Sequence, residues 1–87
     1  MCVGGMARTT YTAETRVLAT LLRSIREQAG LRQVDLAEAL GRSQSWVSDY
    51  EAGQRRLDLV ELRSICGACG ITLRQFVNRF EKALGNA

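Results

Sequence analysis

The sequence predicts an all-α domain built from five helices. Apolar residues recur at spacings of three and four along most of the chain, as on one face of a helix, and no alternating strand pattern is visible. Glycine, which ends helices because it adopts the left-handed conformation at little cost, follows each of five helical stretches. These observations predict a single domain over residues 12–87, preceded by a flexible arm of residues 1–11. The five glycines are Gly30, Gly41, Gly53, Gly70 and Gly85.

Length and composition limit the class of protein. The 87 residues can form one modest core, and with 46% hydrophobic and 24% charged residues the chain is globular rather than disordered. A net charge of +3 is compatible with a polyanionic partner without requiring one. No apolar run is long enough for a membrane span, and the first residues lack the order of a secretory signal. Three cysteines, an odd number, favour the reducing cytoplasm, and the natural start is either Met1 or Met6.

The first helix is predicted from Ala13 to Ala29. Thr12 suits its N-cap, because a hydroxyl can accept a hydrogen bond from a free backbone N–H of the first turn. Four apolar residues then repeat at i, i+3, i+4 and i+7 and mark the buried side, and Gly30 ends the helix. The four are Leu18, Leu21, Leu22 and Ile25.

The stretch from Leu31 to Gln54 contains two short helices joined by a tight turn. An apolar stripe marks the first helix, and Val47 with Tyr50 marks the buried side of the second. Gly41 stands where the first helix ends, and Ser43 can cap the second. Two helices joined by such a turn form a helix-turn-helix.

Two capping boxes predict where the last two helices begin. Asp58 and Glu61 stand three apart, so each side chain can bond the other's backbone N–H, and a helix should begin at Leu59. Thr72 and Gln75 repeat this arrangement before the fifth helix. The predicted buried side of the fourth helix comprises Leu59, Leu62, Ile65, Cys66 and Cys69.

A specific combination of residues in the two-helix motif carries a family resemblance: Gln33, Leu36, Ala37, Leu40, Gly41, Ser43, Gln44, Ser45, Val47, Ser48, Glu51 and Gly53. Through them, the chain from about Leu18 to Phe80 resembles the XRE-type helix-turn-helix regulators, which include the DNA-binding domains of lambdoid phage Cro and repressor proteins. The resemblance implies a lambda-repressor-like fold whose second motif helix, the recognition helix, enters the major groove of double-stranded DNA. Arg32 departs from the family, which usually has Ser or Thr there, so the first motif helix should be less firmly capped.

The resemblance also implies a set of DNA contacts. Base contacts are expected from Gln44, the leading reader, and from Ser45, Ser48 and Asp49, which helix periodicity places opposite the apolar side. By the resemblance, Gln33 and Ser43 should contact the DNA backbone, and Trp46 is expected to contact it as well. Three basic residues bracket the recognition helix in sequence, where their side chains would reach phosphates: Arg42, Arg55 and Arg56. The alternative is that these polar and basic residues are ordinary solvated surface.

Three assignments have two interpretations each. The family pairs an arginine late in the first helix with a glutamate ending the recognition helix; the matching Arg26 and Glu51 form a structural ion pair or are unrelated surface charges. Trp46 lies between the two faces of its helix, where it contacts the DNA backbone or covers the edge of the core. Arg8 belongs to an arm without function, or contacts the minor groove.

Catalysis and metal binding find little support. Without histidine, no Ser-His or Cys-His nucleophile can be built, and no glycine-rich phosphate loop is present, so we expect no enzyme and no cofactor. Cys66 and Cys69 have the spacing of a metal or redox pair, but a structural zinc takes four ligands and only Cys2 remains. Packing is the favoured interpretation, with a redox or metal switch as the alternative and no metal site predicted.

The last helix carries more apolar surface than so small a chain needs. We expect Val77 to close the core and Phe76, Phe80 and Leu84 to form a dimer interface. The sequence thus predicts a cytoplasmic transcriptional repressor that binds a palindromic operator as a homodimer, with any ligand control supplied by a partner protein. The alternatives are an antitoxin, a restriction-modification controller of the same fold, or a protein-interaction module that does not bind DNA.

Overall fold

The computed structural model describes residues 12–85. The chain forms five helices there, and this range contains no strand, so the all-α, five-helix prediction is confirmed. None of these helices has the length and apolar character needed to cross a membrane. The predicted arm of residues 1–11, with Arg8, lies outside the described range. The helices are α1 (Ala13–Gln28), α2 (Gln33–Leu40), α3 (Gln44–Glu51), α4 (Leu59–Ala68) and α5 (Leu73–Gly85).

The predicted helix starts are confirmed by their caps. The Thr12 hydroxyl accepts the backbone N–H three residues on at 3.1 Å. The Asp58 carboxylate accepts the N–H of Glu61 at 2.7 Å, and Glu61 accepts the N–H of Asp58 at 2.9 Å. Thr72 and Gln75 form the same reciprocal pair, at 3.0 and 2.9 Å. Local side-chain chemistry therefore fixes where α1, α4 and α5 begin.

The start of α2 is held in a different way. Arg32 is the N-cap and its side chain makes no capping bond, as the departure from the family pattern predicted. Asp35 compensates, because its carboxylate accepts the Arg32 backbone N–H at 2.9 Å and binds the Arg32 guanidinium at 3.0 and 2.9 Å. These hydrogen bonds lower the pKa of Asp35 to about 2. One acidic residue thus provides half of a capping box and an ion pair.

All five helices contribute to one hydrophobic core. Burying each large apolar side chain contributes on the order of 1.5–3 kcal/mol, so this cluster is the main source of stability. Its buried members are Leu22, Ile25, Leu36, Ala37, Trp46, Val47, Tyr50, Ile65, Cys66 and Phe76.

Three sequence predictions are wrong, two about packing and one about a helix end. Leu59, in the first turn of α4, is 65% exposed although it shares the helical spacing of the buried residues. Val77 is 41% exposed, and Phe76, 1% exposed, closes the core in its place. Gly85 is the last described residue of α5 and not a stop beyond it.

Candidate nucleic-acid interface

The two motif helices are joined by a turn whose geometry is set by Gly41 and Ser43. Gly41 has φ 68°, in the left-handed region that favours glycine, and its N–H bonds a carbonyl in the last turn of α2. The Ser43 hydroxyl then accepts the N–H of Trp46 at 3.2 Å and starts α3. Both local signals in the sequence act as predicted, and together they fix the direction in which α3 leaves α2.

Helix α3 has one buried side and one polar side. Val47 and Tyr50 are 0% and 2% exposed and anchor the helix in the core. The opposite side is polar and at least partly exposed to solvent. It carries the four residues predicted to contact bases: Gln44 and Ser45, which are exposed, and Ser48 and Asp49, which are partly exposed.

A buried ion pair fixes the C-terminal end of α3. Arg26 Nε and Nη2 donate to the two carboxylate oxygens of Glu51 at 2.7 and 3.0 Å, and the side chains are only 8% and 4% exposed. Arg26 Nη1 also donates to the Leu31 carbonyl at 2.8 Å. The hydrogen bonds to Glu51 raise the pKa of Arg26 despite its burial. The pair that the resemblance implied is therefore present, and it ties α1, the α1–α2 loop and α3 together.

A line of hydrogen bonds leads from this pair to the surface. Gln33 Nε2 donates to Glu51 at 3.1 Å, and Gln44 Nε2 donates to Gln33 Oε1 at 3.4 Å. Gln33 was expected to contact phosphates, and here it bridges the buried carboxylate and the exposed amide of Gln44. Its partners are 18 and 11 residues away in sequence, so no local pattern could have indicated this bridge.

Trp46 belongs to the core and not to the surface predicted to contact DNA. It is 6% exposed, and its ring packs edge-on against Tyr50 with centroids 5.3 Å apart. Its Nε1 is buried without a protein partner within the described residues. This burial corrects the prediction that Trp46 contacts the DNA backbone, and favours the alternative in which it covers the edge of the core.

Arg42 is held beside the N-terminus of α3 by two contacts. Its guanidinium lies over the Trp46 ring, 4.7 Å from the centroid. Its Nη2 is 3.4 Å from a carboxylate oxygen of Glu61 in the first turn of α4. The sequence indicated Glu61 only as part of a capping box, because a contact across 19 residues leaves no periodic signal.

Arg55 and Arg56 lie in the loop between α3 and α4 and are exposed. Neither makes a hydrogen bond or ion pair with another described residue. Two exposed cations close in sequence to the end of α3 can therefore reach a polyanion without giving up an internal contact.

The last helix is partly absorbed into the core. Phe76 is 1% exposed, which corrects its assignment to a dimer interface. Phe80 stacks on it with centroids 6.2 Å apart and planes inclined by 8°. Phe80 and Leu84 remain half-buried, and Val77 is 41% exposed, so an apolar stripe at i, i+3 and i+7 still faces outward.

The two described cysteines are packing residues at the C-terminal end of α4, where Cys69 is the C-cap. Cys66 is fully buried in the core and Cys69 is half-buried. Burial raises the pKa of Cys66 to about 11 and also raises the pKa of Cys69. A raised pKa disfavours the thiolate that metal binding and disulfide exchange require. Across residues 12–85, no group of three or more metal-ligating side chains is present.

Comparison with known proteins agrees with this geometry. A family model described as a helix-turn-helix domain matches residues 17–78. A solved XRE-family like protein from Pseudomonas syringae pv. tomato is 37% identical, with a TM-score of 0.75 over 80% of this chain and 85% of that one. The chain belongs to the XRE-type helix-turn-helix family. No curated protein sequence matches it.

Other solved structures share this XRE-type fold. The clp gene regulator ClgR from Corynebacterium glutamicum is 28% identical, with a TM-score of 0.72 over 85% of this chain and 91% of that one. The restriction-modification controller protein C.Esp1396I, solved as a tetramer with its natural 35 base-pair operator, has a TM-score of 0.76 over 84% and 96% of the chains. At 20% identity, it supports the fold alone. This protein therefore has the fold of helix-turn-helix DNA-binding regulators.

Proposed function

We propose that the protein is a sequence-specific transcriptional regulator of the cytoplasm, and a repressor that binds a (pseudo)palindromic operator as a homodimer. The observation that carries the proposal is the polar face of α3, whose leading amide, Gln44, is connected through Gln33 to the buried ion pair. A helix fixed in this way can present the same donors and acceptors to every DNA molecule it meets.

Base contacts in the proposal come from the exposed side of α3. Gln44 stands in the first turn, from which side chains of a recognition helix reach base edges, and its amide can pair bidentately with adenine. Ser45 and Ser48 can donate to or accept from a base edge, and the Asp49 carboxylate can accept from the amino group of cytosine.

Backbone contacts come from residues around the two ends of α3. Ser43 and Gln33 lie near its N-terminus, where the helix dipole favours a phosphate. Arg42 adds a cation at that end, and Arg55 and Arg56 add two more beyond the other. Such contacts set register and affinity without reading sequence.

The test separates base contacts from backbone contacts. Gln44→Ala should cost about 1–3 kcal/mol on the cognate duplex and relax preference at one base pair per half-site. Arg55→Ala should weaken cognate and scrambled duplexes alike and lower the salt slope by about one unit. The cognate sequence would be selected from a random DNA pool, and both variants titrated by fluorescence anisotropy at several salt concentrations. If Gln44→Ala loses the same affinity for both duplexes, Gln44 does not contact a base. If wild type does not bind DNA, or binds it independently of salt, the regulator function is refuted.

The proposed dimer uses the outward stripe of α5, which consists of Val77, Phe80 and Leu84. Phe76 is not part of this interface, because it is buried in the core. A half-buried stripe of this kind is self-complementary across a two-fold axis. Leu84→Asp should give monomers in sedimentation and weaken operator binding, while circular dichroism stays unchanged because Leu84 lies outside the core cluster. A wild-type protein that is monomeric at tens of micromolar would contradict this interface.

A further inference from the structure

Glu61 has a fixed position from which it can hold another side chain. One of its carboxylate oxygens accepts the Asp58 backbone N–H at 2.9 Å, and the other faces Arg42 Nη2 at 3.4 Å. The Glu61 side chain is 25% exposed and stands in the first turn of α4. The hydrogen bond from the Asp58 N–H holds the Glu61 carboxylate in one position, so Arg42 keeps this contact only while its guanidinium stays nearby.

Arg42 is confined on a second side by Trp46. Its guanidinium carbon lies 4.7 Å from the centroid of a ring that is itself 6% exposed and part of the core. The ring contact and the Glu61 contact together restrict where the guanidinium can lie. The Arg42 side chain is nevertheless 46% exposed, so its remaining N–H donors stay available to a phosphate.

A confined cation and a free one have different effects on DNA binding. A free arginine side chain can adopt many rotamers, so it can pair with a phosphate wherever the protein sits along the DNA. Such pairing adds to non-specific affinity. A confined arginine can pair only when the duplex brings a phosphate to its location. Arg55 and Arg56, which have no internal partner among the described residues, are of the free kind.

We propose that Glu61 is a specificity-determining residue: by holding Arg42 against Trp46, it restricts this backbone contact to DNA bound in the correct register. The inference rests on the proposed function, in which Arg42 contacts the DNA backbone. Glu61 itself acts through Arg42 as a positioning residue and touches no DNA.

The test is Glu61→Gln, because the glutamine amide oxygen can still accept the Asp58 N–H while the charge that holds Arg42 is lost. Affinity for a scrambled duplex should rise by about two- to five-fold, the range expected when one partly exposed ion pair is released. Affinity for the cognate duplex should rise less, so the specificity ratio falls, and the salt slope on scrambled DNA should steepen by up to about one unit. The matched control is Glu38→Gln, an exposed glutamate of α2 whose side chain makes no hydrogen bond or ion pair with a described residue, which should leave the ratio unchanged.

Two further measurements separate restraint of Arg42 from general electrostatics. In an Arg42→Ala background, Glu61→Gln should no longer alter the specificity ratio. Trp46 is the only tryptophan of the chain, so its emission should change in Glu61→Gln when Arg42 leaves the ring. An equal rise on both duplexes, an effect that persists without Arg42, or unchanged emission would each overturn the inference. Wild-type protein without salt-dependent DNA binding would instead refute the proposed function.

Discussion

The ion pair of Arg26 and Glu51 allows a quantitative test of how the recognition helix is held. Arg26→Met keeps most of the aliphatic volume of the arginine, so little of the effect comes from a cavity. The substitution leaves the Glu51 carboxylate, 4% exposed, with Gln33 as its remaining hydrogen-bond donor among the described residues. It also removes the donor of the Leu31 carbonyl.

The expected cost follows from these contacts. Removing one partner of a buried pair costs about 3–5 kcal/mol, because the other charge is stranded in the interior. A domain of this length has on the order of 4–13 kcal/mol of total stability, so the loss is a large fraction of it. Each kcal/mol lowers the thermal midpoint by about 4–8 °C in a domain of this size, which predicts a fall of at least about 12 °C.

Thermal and urea denaturation followed by circular dichroism would measure this loss. Arg23→Met on the same helix is the matched control, because its pair with Glu27 is solvent-exposed at 64% and 55% and should contribute less than about 1 kcal/mol. The double variant Arg26→Met with Glu51→Leu should be more stable than Arg26→Met alone, since no charge is then stranded. Equal midpoints for Arg26→Met and Arg23→Met, or a double variant less stable than the single one, would refute the reasoning.

Three further predictions concern the backbone and the core. Gly41→Ala should cost about 1–2 kcal/mol in urea denaturation, because φ is 68° and a Cβ there meets no atom within 4 Å, so the whole penalty is conformational. Gly67→Ala, in the last turn of α4 and equally unobstructed, should instead stabilise by about 0.5–1 kcal/mol, and a loss in this variant would contradict the interpretation of this position as an open helical site. Tyr50→Phe should be neutral or stabilising by up to about 1 kcal/mol, because the buried hydroxyl has no hydrogen-bond partner among residues 12–85; a clear loss of stability would reveal a hydrogen bond to that oxygen.

The sequence predicts helix boundaries well here because the signals are local. The capping pairs at Asp58 and Thr72 bond residues three apart, and the left-handed turn at Gly41 needs only its own backbone. Such interactions form wherever the residues occur, independent of tertiary contacts. The sequence therefore predicted the order of the helices and their starts, and the family resemblance supplied their arrangement.

Burial was harder to predict because periodicity gives only a direction around a helix axis. Leu59 has the spacing of the buried side of α4, yet in the first turn of that helix it is 65% exposed. Phe76 and Val77 are adjacent on the broad apolar stripe of α5. Which of the two is buried depends on where the other helices pack, and in the fold Phe76 packs into the core. Contacts between distant residues, such as Arg42 with Glu61, leave no pattern at all, and the Arg26–Glu51 pair was accessible only through the resemblance.

Burial of Cys66 makes the opening of the fold measurable by chemical kinetics. Alkylating reagents react with a thiolate that they can reach, and Cys66 is 0% exposed with a pKa of about 11. Cys66 can therefore be alkylated only when α4 transiently separates from the core. The alkylation rate then reports the free energy of this local opening. A ligand that binds only the folded state lowers the population of the open state. Slower alkylation of Cys66 in the presence of DNA would thus report DNA binding through a buried core residue, without a fluorophore on either partner.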